Sequence, residues 1–535
     1  MTKQELKDFC ENSPLIAHHA KFERKWLLSR GIDPNIIDDT MLLAYLYDER
    51  MPLDLESLVL RFEIDKPFKE EYGLDVSKIE GERLRIRNTK DARNTKVLRD
   101  ILKVKLTKEE LYVYEKVLMP ATRTLALIEN RGVCINRQAV EQLQVELNNK
   151  ILELDIDRLP EVLELEKMIG VKFNINSYLH RGVLIYDLLG YTPLPFSQAQ
   201  TEGGDPSTQA KVLRQLLLQR KTETLEKLLK FTSYTGYKES YEGLISFCDG
   251  CGRPHWDTID GIDYIFTNLH IGGTSTGRIR SDHPNMQNTP SRDGAWTRKV
   301  FTSRYPKGLI VECDYDQIEL KILAGLSGDD KLIDDFLSGK DPHIEMAKVA
   351  FNVPNIKESD SKYADYRFLG KTLNYAVPFG RGAAGVAFDT GRTIPEAQVW
   401  LKRYWKEHSK LRKWLDNVPQ EGIVYSPTGM KRHCDTWTQG KNFPIQNSAL
   451  IVLLIAMNQV IDQAIRLHCP IDLCIHDSIR FDLEDETKLL PTIKEFKEYV
   501  EFKPGELYSW LPIPLTVTFK AGRTWADANK IKLTS

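Results

Sequence analysis

Apolar and polar positions alternate with different periods along the chain. Between residues 111 and 229 the apolar positions recur at helical spacing, in charged stretches such as "VLRQLLLQRKTETLEKLLK", which predicts mostly amphipathic helix. "GLIVECDYDQIELKILAGL" opens on a nearly continuous apolar run, 309–313. That run predicts a strand with Asp314 at its C-terminal end, before Ile318, Ile322 and Leu326 set up a helix. In "CIHDSIRFDL" two β-prone arms, 473–475 and 479–483, flank His476 and Asp477. A two-residue break is hairpin length, so Asp477 is expected at a tight tip. An acid in a turn is commonly a solvated turn former, so its meaning depends on what else the chain offers. The longest apolar run, 449–457, is flanked by amides and shorter than a bilayer needs, and predicts a buried core helix.

Composition narrows the classes. At 535 residues there is room for several domains. A net charge of −2 means that a polyanion must be met by local basic surfaces. The N-terminus is polar and carries no signal peptide, and the eight cysteines are scattered. Both features predict a reducing cytoplasm and no membrane partner. Cys248, Cys251 and His255 in "CDGCGRPH" have only partial zinc spacing and equally spell a hairpin, so no structural metal is expected there. "TNLHIGGTSTGRIRSDHPNMQNTP", with Arg278 and Arg280, reads as a surface for a polar ligand or as a long loop.

The candidate chemistry lies in three places. Asp314 and Asp477, both displayed by β structure and far apart in sequence, are free to converge. Such a pair of hard oxygen donors suits a two-metal, in-line phosphoryl transfer. Glu319, about a helical turn beyond Asp314, can face the same space. In "YRFLGKTLNYAVPFGRG", Arg367, Lys371 and Tyr375 are spaced by four with Phe379 next, a helical stripe of cations and rings suited to a nucleoside triphosphate. An amphipathic helix with a basic edge reads equally well. Pro378 should end that helix just before Gly380. In "GKDPHIEMAKVAF", Asp341 is a plausible helix N-cap, and His343 is either a third phosphate contact or an exposed helix-start histidine.

"DYDQIEL", "RFLGKTLNYAVPFG" and "IHD", in that order, resemble the three polymerase motifs of family A DNA polymerases, the bacterial polymerase I and bacteriophage group. "TSTGRIRSDHPNMQNTP" resembles that family's primer-template segment and "NFPIQNSAL" its late palm helix. The resemblance implies an α+β multidomain, right-hand polymerase with palm, fingers and thumb. It implies a truncated exonuclease-like region at 1–110, thumb and connecting helices at 111–235, palm at 236–328 and 425–535, and fingers at 329–424. Asp314 and Asp477, with the Tyr315 backbone, would hold two Mg²⁺ ions. Arg367, Lys371, His343 and Gln317 would bind the dNTP, Tyr375 would pack on it, and Glu319 would be the steric gate against a ribose 2′-OH. Arg278, Asn285, Gln287, Asn442, Gln446, His476 and Phe379 would face the primer-template DNA. This sequence departs from the family's usual residues at Asp316, Lys321, Ala376, Phe379 and Ser478, the last standing where a glutamate normally follows the hairpin aspartate. Tyr375, in place of phenylalanine, implies good acceptance of dideoxynucleotides.

The N-terminal stretch resembles the second half of the family's RNase H-like 3′–5′ exonuclease domain. His19 and Glu23 stand at the Asn-x-x-Phe/Tyr-Asp positions. Asp91 fits the last exonuclease motif, whereas Arg87 takes the place of its tyrosine. The first Asp-x-Glu motif has no counterpart in the chain, so no proofreading is expected, unless a separate polypeptide supplies it as a split enzyme. The basic run 83–105 would then face a partner, single-stranded DNA or solvent. A processivity or helicase protein is an optional further partner, and a bacterial host's cytoplasm the location if the source is viral. Two rivals stand beside this reading: a single-subunit RNA polymerase, against which Glu319 counts, and a DNA-binding scaffold with a dead palm.

Overall fold

The computed structural model describes residues 2–65, 81–195, 199–246, 256–274 and 276–531. Cys248, Cys251 and His255 lie outside the described residues. At the centre is a five-stranded antiparallel sheet in the order Ile471–Ile475, Ser478–Leu483, Leu309–Tyr315, Val517–Gly522, Asn529–Lys530. The predicted first strand runs two residues further than its apolar stretch. Asp314 therefore lies inside the strand rather than at the helix cap, opposite Ser478 on one side and Thr518 on the other. Sheet pairing on both sides satisfies the backbone there and carries the strand past its apolar residues.

The 449–457 run lies in a 30-residue helix, Trp437–Arg466, which packs against Ile318–Ser327, Leu489–Val500 and Met119–Arg131. This helix is long and apolar enough to cross a membrane, yet Ile451, Leu454, Met457 and Ile461 are covered by protein. It is a core helix, as the pattern predicts. Under the sheet, Arg480 forms a two-pronged ion pair with Asp472 (3.0 and 2.7 Å), its guanidinium 4.7 Å from the Trp525 ring centre.

The 111–229 region is helical as expected. "VLRQLLLQRKTETLEKLLK" breaks at Arg220 into Ala210–Gln219 and Glu223–Ser246. The polar stretch after residue 266 is not simply a loop, because Asn268–His270 pairs antiparallel with Arg280–Asp282. Beyond the sheet, Pro342–Ala350 and Tyr363–Ala376 cross closely. Gly370 makes the crossing possible, since a Cβ there would overlap the His343 carbonyl.

At the N-terminus, Leu15–Ala17 and Ile36–Asp39 form a two-stranded parallel sheet, flanked by Ala20–Leu28, Thr40–Tyr47 and Gly81–Lys105. Buried Glu129, on Met119–Arg131, ties this region to the rest. It pairs with Lys21 and with Lys25 (3.0 Å) and accepts the Leu269 N–H (2.7 Å).

Candidate functional site

The predicted hairpin forms, with Ile475 facing Ser478 and the two residues between them at the tip. His476 takes a left-handed φ of 53°, and Gln317, just after Asp314, takes another. Non-glycine residues are held in that region only where the surroundings enforce it, commonly at functional sites. The Tyr315 N–H donates to the Asp477 carbonyl (3.3 Å), binding the hairpin tip to the end of the central strand. The Tyr315 phenol is buried and bonded to the Val500 carbonyl (2.6 Å), which leaves only its backbone to the site.

The electrostatics place the acids together. Asp477 is raised to about 6 by burial and then by the charges of Asp314 and Glu319. Asp314 is raised by burial and by Glu312 and Asp316, against the pull of Lys520 at 3.5 Å. Glu319 pairs with Arg278. Repelling carboxylates in a half-buried space form a hard donor set that suits a divalent cation. By contrast Asp48, Glu49 and His433 also lie within metal-ligating reach of one another, but His433 bonds Glu49 (3.2 Å) and Arg50 bonds Asp48 (3.1 Å).

The stripe of cations reaches the same space. Arg367, Lys371 and Tyr375 share the helix Tyr363–Ala376, and burial with the charges of Glu319, Asp477 and Asp314 pushes the Tyr375 phenol up. Lys371 stands 5.7 Å from the Tyr375 ring centre. Arg367 donates to the Asp341 carboxylate (2.6 Å), which also caps Pro342–Ala350 through the His343 N–H. Phe379 does not continue the stripe: the helix ends at Ala376, and Phe379 follows in the turn that Pro378 imposes.

Of the two readings of His343, the exposed helix-start histidine is excluded. His343 is 1% exposed, packed on Tyr375 with ring centres 5.8 Å apart, bonded to Asn374 (3.2 Å), and lowered to about 4 by burial. Its ring packs against that of Tyr375, within the same helix crossing.

Three side-chain amides in the segments named for the site carry unsatisfied oxygens. Gln317 Oε1, Asn442 Oδ1 and Gln446 Oε1 are buried without a hydrogen-bond partner among the described residues. Buried acceptors are seldom left so. The Gly277 turn lies against the helix carrying Asn442 and Gln446, where a Cβ would stand 3.0 Å from Asn447, and so brings Arg278 alongside. His476, lowered by burial and then by Arg278 and Arg298, completes this side. Asn285 is turned on its own backbone, accepting the Gln287 N–H (3.0 Å).

Ser478 donates to the Ile475 carbonyl (3.0 Å) and fastens the hairpin. Asp316 accepts from Thr516 (3.0 Å) and Thr518 (2.7 Å), and Lys321 donates to Thr516 (3.0 Å). Two charged residues near Asp314 were missed from the sequence, Glu312 and Lys520. The signal was there for one of them: Glu312 and Asp314 stand two apart in the strand and so share a face.

The N-terminal acids stand apart from this site. Glu23 is raised by burial alone. Asp91 lies 3.6 Å from Arg87 on the same helix and is raised by burial, with Arg87 pulling the other way. His19 opens on a cleft of about 960 Å³ lined by Phe22, Lys25, Trp26 and Trp256. The basic run 83–105 does not simply face solvent or a partner, because Arg99 and Lys103 turn inward onto buried Asp38 (3.3 and 2.7 Å).

Comparison with known proteins agrees with this arrangement. A sequence profile described as DNA polymerase family A matches residues 137–527. The chain is 28% identical to a thermostable DNA polymerase I of Thermus thermophilus over 94% of its own length and 57% of the relative's. It is 26% identical to DNA polymerase I of Borreliella burgdorferi over 98% and 57%. It spans about half the length of the curated relatives it matches. Among solved structures it resembles the POL domain of Pol1 from M. smegmatis, in complex with DNA primer-template and dNTP. That match has a TM-score of 0.79 at 25% identity and covers 98% of this chain and 89% of that one.

Proposed function

Because the chain belongs to DNA polymerase family A, we propose that it extends a DNA primer on a template by nucleotidyl transfer from dNTPs, without proofreading by this chain alone. The observation that carries this reading is the convergence of Asp314, Asp477 and Glu319 on Tyr375, at the end of a helix bearing Arg367 and Lys371. The sheet and the long helix act as palm, the helices Pro342–Ala350 and Tyr363–Ala376 as fingers, and the helices of 111–235 as thumb.

In this mechanism the primer 3′-oxygen forms a bond to the α-phosphorus of the dNTP while the bond to the β-phosphate oxygen breaks and pyrophosphate leaves. Mg²⁺ bound at Asp314, Asp477 and the Tyr315 carbonyl would supply charge neutralisation and activate the primer hydroxyl. Arg367 exchanges the Asp341 carboxylate for the triphosphate, and Lys371 takes its remaining charge. Tyr375 packs on the nucleotide with His343 behind it. Glu319, held by Arg278, occupies the space a ribose 2′-OH would need. The orphaned oxygens of Asn442, Gln446 and Gln317 take hydrogen bonds from the nascent pair and its neighbours, which tests shape without reading sequence. All six described cysteines are unpaired thiols, which supports a cytoplasmic setting.

The test is extension of a 5′-labelled primer-template with Mg²⁺ and dNTPs, beside a no-dNTP lane and an Asp314→Ala control. Extension lost in the control, with the primer intact without dNTPs, is the expected result. Shortening of the primer in the no-dNTP lane would overturn the absence of proofreading, and extension surviving Asp314→Ala would overturn the site.

A further inference from the structure

Glu312 and Asp314, two apart in the central strand, point to one face of it, and the neighbouring strand sets Lys520 opposite Glu312 and Thr518 opposite Asp314. Lys520 Nζ lies 2.7 Å from Glu312 Oε1 and 3.5 Å from Asp314 Oδ2, bridging the two. The other Glu312 oxygen accepts from Trp525 Nε1 (2.7 Å). Trp525 is itself buried, with its ring 5.4 Å from that of Phe301 and the Arg298 guanidinium 4.0 Å above it. A chain of contacts thus runs from the core through Trp525, Glu312 and Lys520 to the carboxylate of Asp314.

We infer that Lys520 is a positioning residue that sets the orientation and charge of Asp314, with Glu312 as the anchor that draws Lys520 away from it. This deepens the polymerase reading and rests on it. The geometry decides the direction of each effect. Glu312 is the nearer partner, so Lys520 is held mainly by it and only grazes Asp314. With Glu312 neutralised, the ammonium has Asp314 as its remaining carboxylate, and a divalent cation must compete with it for that oxygen. With Lys520 removed, Asp314 faces the cation in a more negative field but without a fixed orientation.

The test is Mn²⁺ affinity by electron paramagnetic resonance on the full chain bound to a dideoxy-terminated primer-template and dNTP, with single-turnover extension measured alongside. Glu312→Gln should weaken Mn²⁺ binding about threefold to tenfold, an energy of order 1 kcal/mol. Lys520→Met should tighten it by a similar factor while slowing single-turnover extension about tenfold, and Lys520→Arg should restore both. Asp314→Ala is the control that separates the two readings. If it abolishes Mn²⁺ binding while Glu312→Gln and Lys520→Met leave affinity unchanged or shift it in the same direction, the positioning role is overturned and the polymerase reading stands. If Asp314→Ala binds Mn²⁺ as well as the parent, both fall. Should Lys520→Met fail to fold, the weakening in Glu312→Gln and its reversal in Glu312→Gln/Lys520→Gln, which removes the competing cation, decide the matter.

Discussion

The molecule displays acids at strand ends twice, and treats them in opposite ways. In the N-terminal region, Asp38 and Asp39 close the strand Ile36–Asp39. Asp38 is held by Arg99, Lys103 and the Tyr114 hydroxyl (3.2 Å), and Asp39 by the N–H groups of His19, Ala20 and Met41. In the central sheet, Asp314 and Asp477 face each other with only the graze of Lys520 among the described side-chain contacts. An acid whose lone pairs are filled by protein donors is part of the architecture. One raised by another acid is waiting for a cation. The two regions thus pair acids held by protein donors with acids that repel one another.

Breaking the working pair has the largest effect. Asp477→Asn should reduce the extension rate by about 10³-fold or more, whereas Asp39→Ala, once folded, should leave it within about threefold; comparable losses in both would erase the contrast. The structural acid shows itself in stability instead. Asp39→Ala strips an acceptor from three N–H groups, one buried and two partly so, and should cost about 3 kcal/mol in chemical denaturation. Glu319 lies between the extremes, an acid whose charge reaches Asp477 but which has a partner in Arg278. Glu319→Ala should spare dNTP extension while raising rNTP incorporation about tenfold, an energy of about 1.4 kcal/mol. Unchanged discrimination between dNTP and rNTP would remove Glu319 from the site.

What the sequence disclosed was local. The two-residue gap between β-prone arms placed Asp477 at its tip, and the fourfold spacing of Arg367, Lys371 and Tyr375 placed them on one helix face. What it concealed depends on contacts made across the chain. His343 is buried because Gly370 lets a second helix close over it, and no feature of "KDPHIEM" carries that information. Lys520 meets Glu312 only through the register of a strand some two hundred residues later. Arg99 and Lys103 read as part of a basic face until Asp38 turns them inward. The acids and cations proposed for the site were legible as residues; the partners that neutralise or free them were not.

The smallest effect is the most discriminating, because it separates the acids by stability alone. Folding raises Asp477 from its ordinary value of 3.8 to about 6, through burial and then the charges of Asp314 and Glu319. Between those two pH values the folded protein binds more protons than the unfolded chain, so its stability falls as pH rises through the window and stays reduced above it. A site exposed in part to solvent screens some of that cost, leaving about 1 kcal/mol. Asp477→Asn removes the slope: in metal-free buffer the variant should match the parent near pH 4 and be more stable by about 1 kcal/mol at pH 7.5. Burial raises Asp39 to about 6 as well, against the pull of its backbone N–H donors, so the two acids differ in their hydrogen bonds and not in the direction of their shift; Asp39→Ala loses those bonds and should be less stable than the parent at both pH values. An Asp477→Asn protein less stable than the parent at pH 7.5 would mean that hydrogen-bond donors hold the Asp477 carboxylate, as three N–H groups hold that of Asp39.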